Sequence, residues 1–182
     1  LTIVGFDRRQ SVLDAGFADG VLDEAAVLPA VPDDLAIVDQ HTFSAEQESA
    51  WRLLSGCEVV FICTPTATVP AYAAIAARYC SGLITDAASV KQPVMDKVRT
   101  DRFIGGHPMA GSEKAGYSHS SEILFENAVY VLCVRPESNL PISKVRRLEE
   151  IVQLTGATPV HLSAHLHDRV VAAIRHLPHV AA

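Results

Sequence analysis

Residues 58–85 read EVVFICTPTATVPAYAAIAARYCSGLIT, and this stretch decides the fold class. Glu58–Cys63 is a short, continuous apolar run, as expected for a strand that is covered on both faces. Val69–Tyr79 is rich in alanine, the strongest helix former, and Leu83–Thr85 is a second short strand candidate. The order of strand, helix and strand predicts an α/β domain.

The same alternation continues on both sides of this stretch. Further strands are predicted at Leu1–Phe6, Phe103–Ile104, Ala128–Val134 and Thr158–Leu162. Further helices are predicted at Ala45–Leu54, Val90–Val98, Ser143–Leu154 and, after an N-cap at Ser163, from about Ala164 to the chain end. The sequence therefore predicts a mostly parallel sheet with flanking helices, in which Leu28–Asp34 is a connecting loop.

The composition excludes several classes of protein. The chain has 182 residues, of which 49% are apolar and 20% charged, as in a globular domain with a sizeable core. Its 15 Lys and Arg against 21 Asp and Glu give a net charge of −6, so no nucleic-acid or membrane partner is expected. The apolar stretches are too short to cross a bilayer, and no export signal or transit peptide opens the sequence. We expect a cytoplasmic protein, or a plastid one if the source is a plant.

Neither the cysteines nor the histidines form a metal-binding pattern. The four cysteines (Cys57, Cys63, Cys80 and Cys133) make no CxxC pair, and we expect reduced, mostly buried thiols. Five histidines lie within residues 161–179, but no carboxylate or cysteine completes a tetrahedral set with His176 and His179. No metal site is predicted.

Asp7 directly follows the first apolar run. In a dinucleotide-binding sheet, an acid at this place accepts hydrogen bonds from the adenine ribose and favours NAD over NADP. The neighbouring Arg8 would stack on the adenine or weaken that preference, and an ordinary turn also explains the Asp. No G-x-G-x-x-G turn occurs in the sequence, so if Asp7 binds the ribose, we expect the glycine loop to precede Leu1.

Residues suited to chemistry follow three of the predicted strands. Ligands bind at the carboxyl ends of strands in an open α/β sheet, so Thr64 and Pro65 would face a cofactor, or would form a plain strand-to-helix turn. Asp86–Lys91 (DAASVK) follows the next strand in the same way. In Gly105–Gly111 (GGHPMAG), paired glycines allow close backbone approach, and the loop histidine His107 is a candidate proton acceptor or donor, or is simply solvated.

Four motifs resemble the prephenate/arogenate dehydrogenase family of tyrosine biosynthesis. They are DAASVK at 86–91, FIGGHPMAGSEKAG at 103–116, LFENAVYVL at 124–132 and HDRVVAAIRHLPHVAA at 167–182. The resemblance runs from Gly5 to Ala182 and is weakest between about Ala25 and Gly56. It implies a Rossmann-like dinucleotide-binding domain at 1–162 that is incomplete at its N-terminus. Residues 163–182 would then be the first helix of an all-α dimerisation and substrate domain.

The resemblance also implies an activity. Members of this family oxidatively decarboxylate prephenate to 4-hydroxyphenylpyruvate, or arogenate to tyrosine, with NAD or NADP as hydride acceptor. NAD is the expected cofactor here, with NADP not excluded, and the full-length protein is expected to be a homodimer. The residues do not decide between the two substrates, and they do not show whether tyrosine inhibits the enzyme.

Individual roles also carry over by resemblance. His107 would accept a hydrogen bond and then the proton of the substrate hydroxyl. Ser89 would bond the same hydroxyl or hold His107 in its tautomer. His176 would position substrate and nicotinamide, and Ser112 and Glu113 would line the substrate pocket. The expected cofactor contacts are Asp7, Arg8, Thr64 and Pro65.

Three departures from the family pattern limit what this chain is expected to do alone. No glycine-rich turn and no C-terminal helical domain lie within the 182 residues, and Arg175 stands where Ser usually precedes HLPH. We therefore expect the isolated chain to be weakly active or inactive. Two alternatives stay open: another β-hydroxyacid-type dehydrogenase, although no Lys lies in the final helix, and a non-catalytic dinucleotide-binding or regulatory module.

Overall fold

The computed structural model describes residues 1–28, 31, 43–111 and 116–176. In these ranges the strands are β1 (Val4–Asp7), β2 (Glu24–Val27), β3 (Val59–Ile62), β4 (Leu83–Asp86), β5 (Phe103–Pro108), β6 (Val129–Cys133) and β7 (Thr158–His161). The α-helices are α1 (Gln10–Ala18), α2 (Ala45–Arg52), α3 (Val69–Tyr79), α4 (Gln92–Lys97), α5 (Ile142–Leu154) and α6 (Ala164–Val171). Shorter 3₁₀ segments are Leu53–Gly56, Thr66–Thr68 and Tyr117–His119, and a π-helical turn spans Ala172–His176.

The sheet is mostly parallel, as the alternation predicts. Five strands are hydrogen-bonded in the order β3-β4-β5-β6-β7, and each neighbouring pair is parallel except β5 and β6. β1 and β2 form a separate parallel pair, with Val4 opposite Glu24 and Asp7 opposite Val27. The predicted α/β architecture is confirmed, with its described strands divided between two sheets.

Both faces of the larger sheet are covered, which explains why its strands are continuous apolar runs. Neighbouring strand residues point to opposite faces. Ile84 and Phe103 belong to one buried cluster, which includes residues of α2, α3 and α4. Leu83 and Ile104 belong to the other, together with residues of α5. The Ala-rich α3 begins and ends where it was predicted. Its small side chains let the helix pack closely on the sheet.

The β1–α1–β2 unit was only partly predicted. α1 and β2 were missed, and β1 ends at Asp7 rather than Phe6. α1 buries only Leu13 and Gly16, so its apolar periodicity is weak. Leu22 packs so closely on this unit that a Cβ at Gly5 or Gly16 would lie 2.7 Å from its Cδ1. These glycines make room for Leu22, a contact that no periodic pattern shows.

The strand containing the GGHP motif is longer than predicted. Phe103–Ile104 was predicted as the strand and the following residues as an irregular loop, but β5 continues through Pro108. The extension is paired with β6, with Gly105 opposite Cys133 and His107 opposite Val131. The expectation of a loop histidine is therefore wrong: His107 is a buried strand residue.

The last described helix is capped as predicted. The Ser163 hydroxyl accepts the backbone N–H of Leu166 at 3.2 Å. α6 packs on the α/β domain through His167 and Val171, both buried. Residues 177–182, to which the predicted helix extends, lie outside the described residues. In the described ranges, no helix has the length and apolar character needed to cross a membrane.

The four cysteines are free thiols. Cys80 and Cys133 are buried, whereas Cys57 is half-buried and Cys63 is exposed at the end of β3. The expectation of mostly buried thiols thus holds for two of the four. Burial raises the pKa of the Cys133 thiol to about 12, which keeps this group protonated.

Candidate active site

Three parallel strands bring the predicted site residues to one edge of the sheet. The register pairs Ile62 with Asp86 and Thr85 with Ile104. Continued past the strand ends, this register brings Thr64, Ala88 and His107 to the same level. The carboxyl ends of β3, β4 and β5 therefore meet where ligands bind in open α/β sheets.

Gly106 lets β5 approach β4 closely at this edge. A Cβ on Gly106 would lie 2.3 Å from the backbone oxygen of Asp86 and 3.1 Å from the Cε1 of Tyr130. Atoms cannot approach that closely, so only glycine fits without movement. The close approach expected from the paired glycines is confirmed, and it fixes the position of His107, the next residue.

A buried ion pair lies beneath this edge. The Lys91 ammonium donates to the Asp86 carboxylate, and the side chains of both residues are fully buried. Asp86 also accepts the N–H groups of Gly106 and Ala88, at 2.9 and 3.1 Å. Lys91 Nζ donates in addition to the Gly106 carbonyl at 2.7 Å. Burial lowers the pKa of Lys91 despite its carboxylate partner, and the contacts join β4, β5 and the start of α4.

His107 is held by a histidine from the last helix. Its side chain is 3% exposed, and its Nδ1 lies 2.8 Å from the Nε2 of His167. The Nδ1 of His167 in turn lies 2.7 Å from the Oδ1 of Asp168. His167 is fully buried and Asp168 is half-buried, so α6 contributes a histidine–carboxylate pair to the carboxyl end of β5.

Asp168 is fixed by the start of α4. Its Oδ1 accepts the backbone N–H of Lys91 at 2.8 Å, and its Oδ2 accepts that of Gln92 at 2.9 Å. Burial by itself would raise the pKa of the Asp168 carboxyl. The two N–H groups and His167 outweigh burial and lower the pKa, so Asp168 is ionised near neutral pH.

The predicted cofactor contacts lie at the ends of β1 and β3. Asp7 Oδ1 accepts the backbone N–H of Arg9 at 2.8 Å, which is a local turn contact. The Asp7 side chain is 32% exposed, so a ligand could still reach it, and Arg8 is exposed. After β3, the Thr68 hydroxyl donates to Thr64 at 2.9 Å, and Pro65 is exposed. Both interpretations given above, turn and cofactor contact, fit this geometry.

The structure describes only some of the predicted substrate residues. Ser89 is exposed and follows β4, one residue after Ala88, which the extended register places level with His107. Ser112 and Glu113 lie outside the described residues. His176 ends the π-helical turn, but its side chain is outside the described part of the chain.

A family model described as "Prephenate dehydrogenase, nucleotide-binding domain" matches residues 32–161, more than half of the chain. The chain belongs to the prephenate dehydrogenase family. The matched range contains β3 to β7 and therefore the whole described strand edge around His107.

Known members support the assignment. The prephenate dehydrogenase of Bacillus subtilis (strain 168) is 43% identical over 105 residues, covering 55% of this chain and 28% of that protein. The arogenate dehydrogenase of Synechocystis has a TM-score of 0.77 at 27% identity, covering 97% of this chain and 56% of that one. A prephenate dehydrogenase from Aquifex aeolicus, in complex with hydroxyphenyl propionate and NAD⁺, shares the fold with a TM-score of 0.77 at 24% identity, covering 99% of this chain and 57% of that one. The chain spans less than two thirds of each of these relatives.

Sequence reasoning missed four polar residues at this strand edge, of which three are buried and one, Asp168, is half-buried. No role was predicted for Asp86 or Lys91 of the DAASVK motif. His167 was weighed only as one of five histidines in a metal-binding pattern. Asp168 was not singled out. The one available signal was the adjacent His167-Asp168 pair just after a strong N-cap, which places both residues in the first turns of a helix.

Proposed function

We propose that the protein to which this chain belongs oxidatively decarboxylates prephenate to 4-hydroxyphenylpyruvate, or arogenate to tyrosine, with NAD⁺ or NADP⁺. The observation that carries the proposal is a buried histidine, His107, held by His167 and Asp168 at the carboxyl edge of the parallel sheet. A fixed imidazole is the usual general base near neutral pH. Its place in the nucleotide-binding domain of this family supports the rest of the proposal.

The ends of β1 and β3 fit a dinucleotide. Asp7 offers a partly exposed carboxylate at a parallel strand end, as an adenine ribose requires, and its charge favours NAD⁺ over NADP⁺. Arg8 and Arg9 leave NADP⁺ open. Thr64 and Pro65 would contact the nicotinamide half from β3. We further propose that a glycine-rich turn preceding Leu1 in the longer protein holds the pyrophosphate.

His107 would control the proton in the first half of the reaction. A bound NAD(P)⁺ supplies a hydride acceptor for the ring carbon that bears the hydroxyl. As the C–H electron pair leaves that carbon, the hydroxyl proton passes to Nε2 of His107 and a ring carbonyl forms. The bond to the ring carboxylate then breaks, its electron pair makes the ring aromatic, and CO₂ leaves. The resulting phenolate takes up a proton.

Other residues would orient the substrate. Because His167 already contacts Nδ1 of His107, we assign Ser89 to the substrate hydroxyl rather than to the His107 tautomer. His176 would position the ring against the nicotinamide, and Ser112 and Glu113 would line the pocket. Residues 163–182 would begin a helical domain that forms a homodimer, in a cytoplasmic protein.

The two alternatives make different demands on the site. A β-hydroxyacid-type dehydrogenase needs an accessible lysine, whereas Lys91 is fully buried and paired with Asp86. A pure binding module does not require His107. The test is NADH formation by the full-length protein with prephenate and arogenate in turn, measured again with His107→Asn. The matched control is His161→Asn, because His161 is exposed and contacts Glu149 on the surface.

We expect NADH with one or both substrates from the wild type and from His161→Asn. His107→Asn is expected to lose turnover and to keep NAD⁺ binding. No NADH with either substrate, from a folded protein that binds NAD⁺, would contradict the proposed reaction and favour the binding module.

A further inference from the structure

The hydrogen bonds around His107 have a fixed direction, which starts at Asp168. The Asp168 carboxylate is ionised and is an acceptor only. At 2.7 Å, the Nδ1 of His167 must therefore carry a proton and donate it. A neutral imidazole with its proton on Nδ1 has a lone pair on Nε2.

The same reasoning extends to His107. Since Nε2 of His167 carries a lone pair, the Nδ1 of His107 at 2.8 Å must donate to it. His107 then has its proton on Nδ1 and its lone pair on Nε2. The chain of donors runs from His107 to His167 to Asp168, and it ends on the N–H groups of Lys91 and Gln92.

The charges around the pair favour an added proton. The ionisable groups that lie close to the pair or to Asp168 in the described elements are Asp168 on α6, Lys91 before α4, Asp86 on β4 and Cys133 on β6. Lys91 is neutralised by Asp86, and burial raises the pKa of Cys133 to about 12, so this thiol stays neutral. Among these described groups, Asp168 is therefore the charge without a partner of opposite sign, and its carboxylate would stabilise the proton that His107 takes up in the reaction.

We propose that His167 and Asp168 are positioning residues that fix His107 in its Nδ1–H tautomer, so that its Nε2 is the proton acceptor of the reaction. The inference rests on the proposed function. It adds that the basicity of His107 is set by residues of α6. This helix lies outside the range matched by the nucleotide-binding family model. A second histidine that accepts from the base is a fixed partner in the same sense as the carboxylate behind a catalytic imidazole.

The first test reads the tautomer directly and needs no substrate. The full-length protein is labelled with ¹⁵N-histidine, and the His107 signals are identified by their loss in His107→Asn. NMR is expected to show a protonated Nδ1 and an unprotonated Nε2 in the wild type. In His167→Phe, which removes the acceptor, the Nδ1–H preference is expected to disappear. His167→Gln places an amide oxygen near the former Nε2 and is expected to keep it.

The second test reads the pH profile of kcat/KM. His167→Phe and Asp168→Asn are expected to lower kcat by about 10- to 100-fold with little change in KM. The acid limb of the profile should move to lower pH, because the imidazolium loses its stabilising charge. His167→Gln should recover part of kcat. His165→Phe, an exposed histidine on the same helix, is the control and should change neither.

The outcomes separate the inference from the function it rests on. An unchanged His107 tautomer in His167→Phe would overturn the inference, whatever the activity. If the Phe variant does not fold, loss of the Nδ1–H preference in His167→Gln, whose amide oxygen should still accept from His107, would overturn it. So would a loss of kcat with an unmoved acid limb, which a packing role alone would give. A wild-type protein with the expected tautomer but without activity on either substrate would instead contradict the proposed function.

Discussion

The two parts of the proposed site are built in opposite ways. Around His107, buried polar groups are held by partners distant in sequence, such as His167 and Asp168. Around Asp7, the described side-chain contacts of the carboxylate are local, to Arg9, and the side chain is partly exposed. The first region fixes the geometry of one proton transfer, while the second offers a charge at a strand end. Rigid, satisfied networks suit catalysis, and an open carboxylate suits a ligand that must bind and leave.

The largest loss of stability is expected when the buried Lys91–Asp86 ion pair is broken. Lys91→Met leaves the Asp86 carboxylate buried without its cation. The free energy of unfolding should fall by about 3–5 kcal/mol, measured by urea denaturation of the full-length protein. Arg147→Met, which breaks exposed pairs with Glu58 and Glu150, is the control and should have no measurable effect. A loss from Lys91→Met no larger than that of the control would contradict the ion pair's importance.

Gly106→Ala should have the next largest effect. Its methyl group would meet the Asp86 backbone oxygen, so β4 and β5 must separate. We expect the free energy of unfolding to fall by about 1–3 kcal/mol. We also expect a lower kcat, because His107 moves with the strand. Gly56→Ala has no heavy atom near its added Cβ and should leave both quantities unchanged. Equal stability of the two variants would show that the edge tolerates a wider spacing.

For the region around Asp7, we predict a smaller effect, which is on cofactor affinity and not on stability. Asp7→Asn removes a charged acceptor for the ribose, and the Kd for NAD⁺ should rise about tenfold, or about 1.4 kcal/mol. The Kd for NADP⁺ should fall, and kcat at saturating NAD⁺ should hardly change. Asp14→Asn removes a nearby acid that accepts from Gln10 and serves as the control in the same fluorescence titration. An unchanged Kd for NAD⁺ in Asp7→Asn would leave Asp7 as a turn residue.

The smallest expected effect is a pH dependence. The folded-state pKa of Asp168 is lowered, so its contribution to stability is present above the unfolded-state pKa of about 3.9 and is lost as pH falls through the folded value. The free energy of unfolding should therefore decrease below about pH 4, and Asp168→Asn should flatten this part of the curve. A variant that follows the wild-type curve below pH 4 would disagree with the assigned contacts of Asp168.

The sequence predicted most of the larger sheet, and the reason is burial. Strands such as Glu58–Cys63 are apolar on both faces, and Val69–Tyr79 is a strong helix former, so pattern and structure agree. α1 and β2 were missed because the glycines and Leu22 that shape them carry no periodic signal. β5 was predicted too short because Gly105–Pro108 contains weak strand formers that pairing with β6 holds in place.

The site could be predicted in part for similar reasons. His107 and Ser89 lie at strand ends, which topology and family motifs mark. The partners of His107 could not be predicted, because an 8-residue helix sixty positions away must fold back before His167 reaches it. Asp86 and Lys91 were equally invisible, since sequence shows charge but not burial.

One measurement decides whether the two regions divide the work as described. Single-turnover NADH formation and the Kd for NAD⁺ are measured on one preparation of full-length His107→Asn, with the better of the two substrates. We predict a rate lower by about 10²- to 10⁴-fold and a Kd within about twofold of the wild type. A rate that recovers at saturating NAD⁺, together with a raised Kd, would show that His107 serves the cofactor and not the proton transfer.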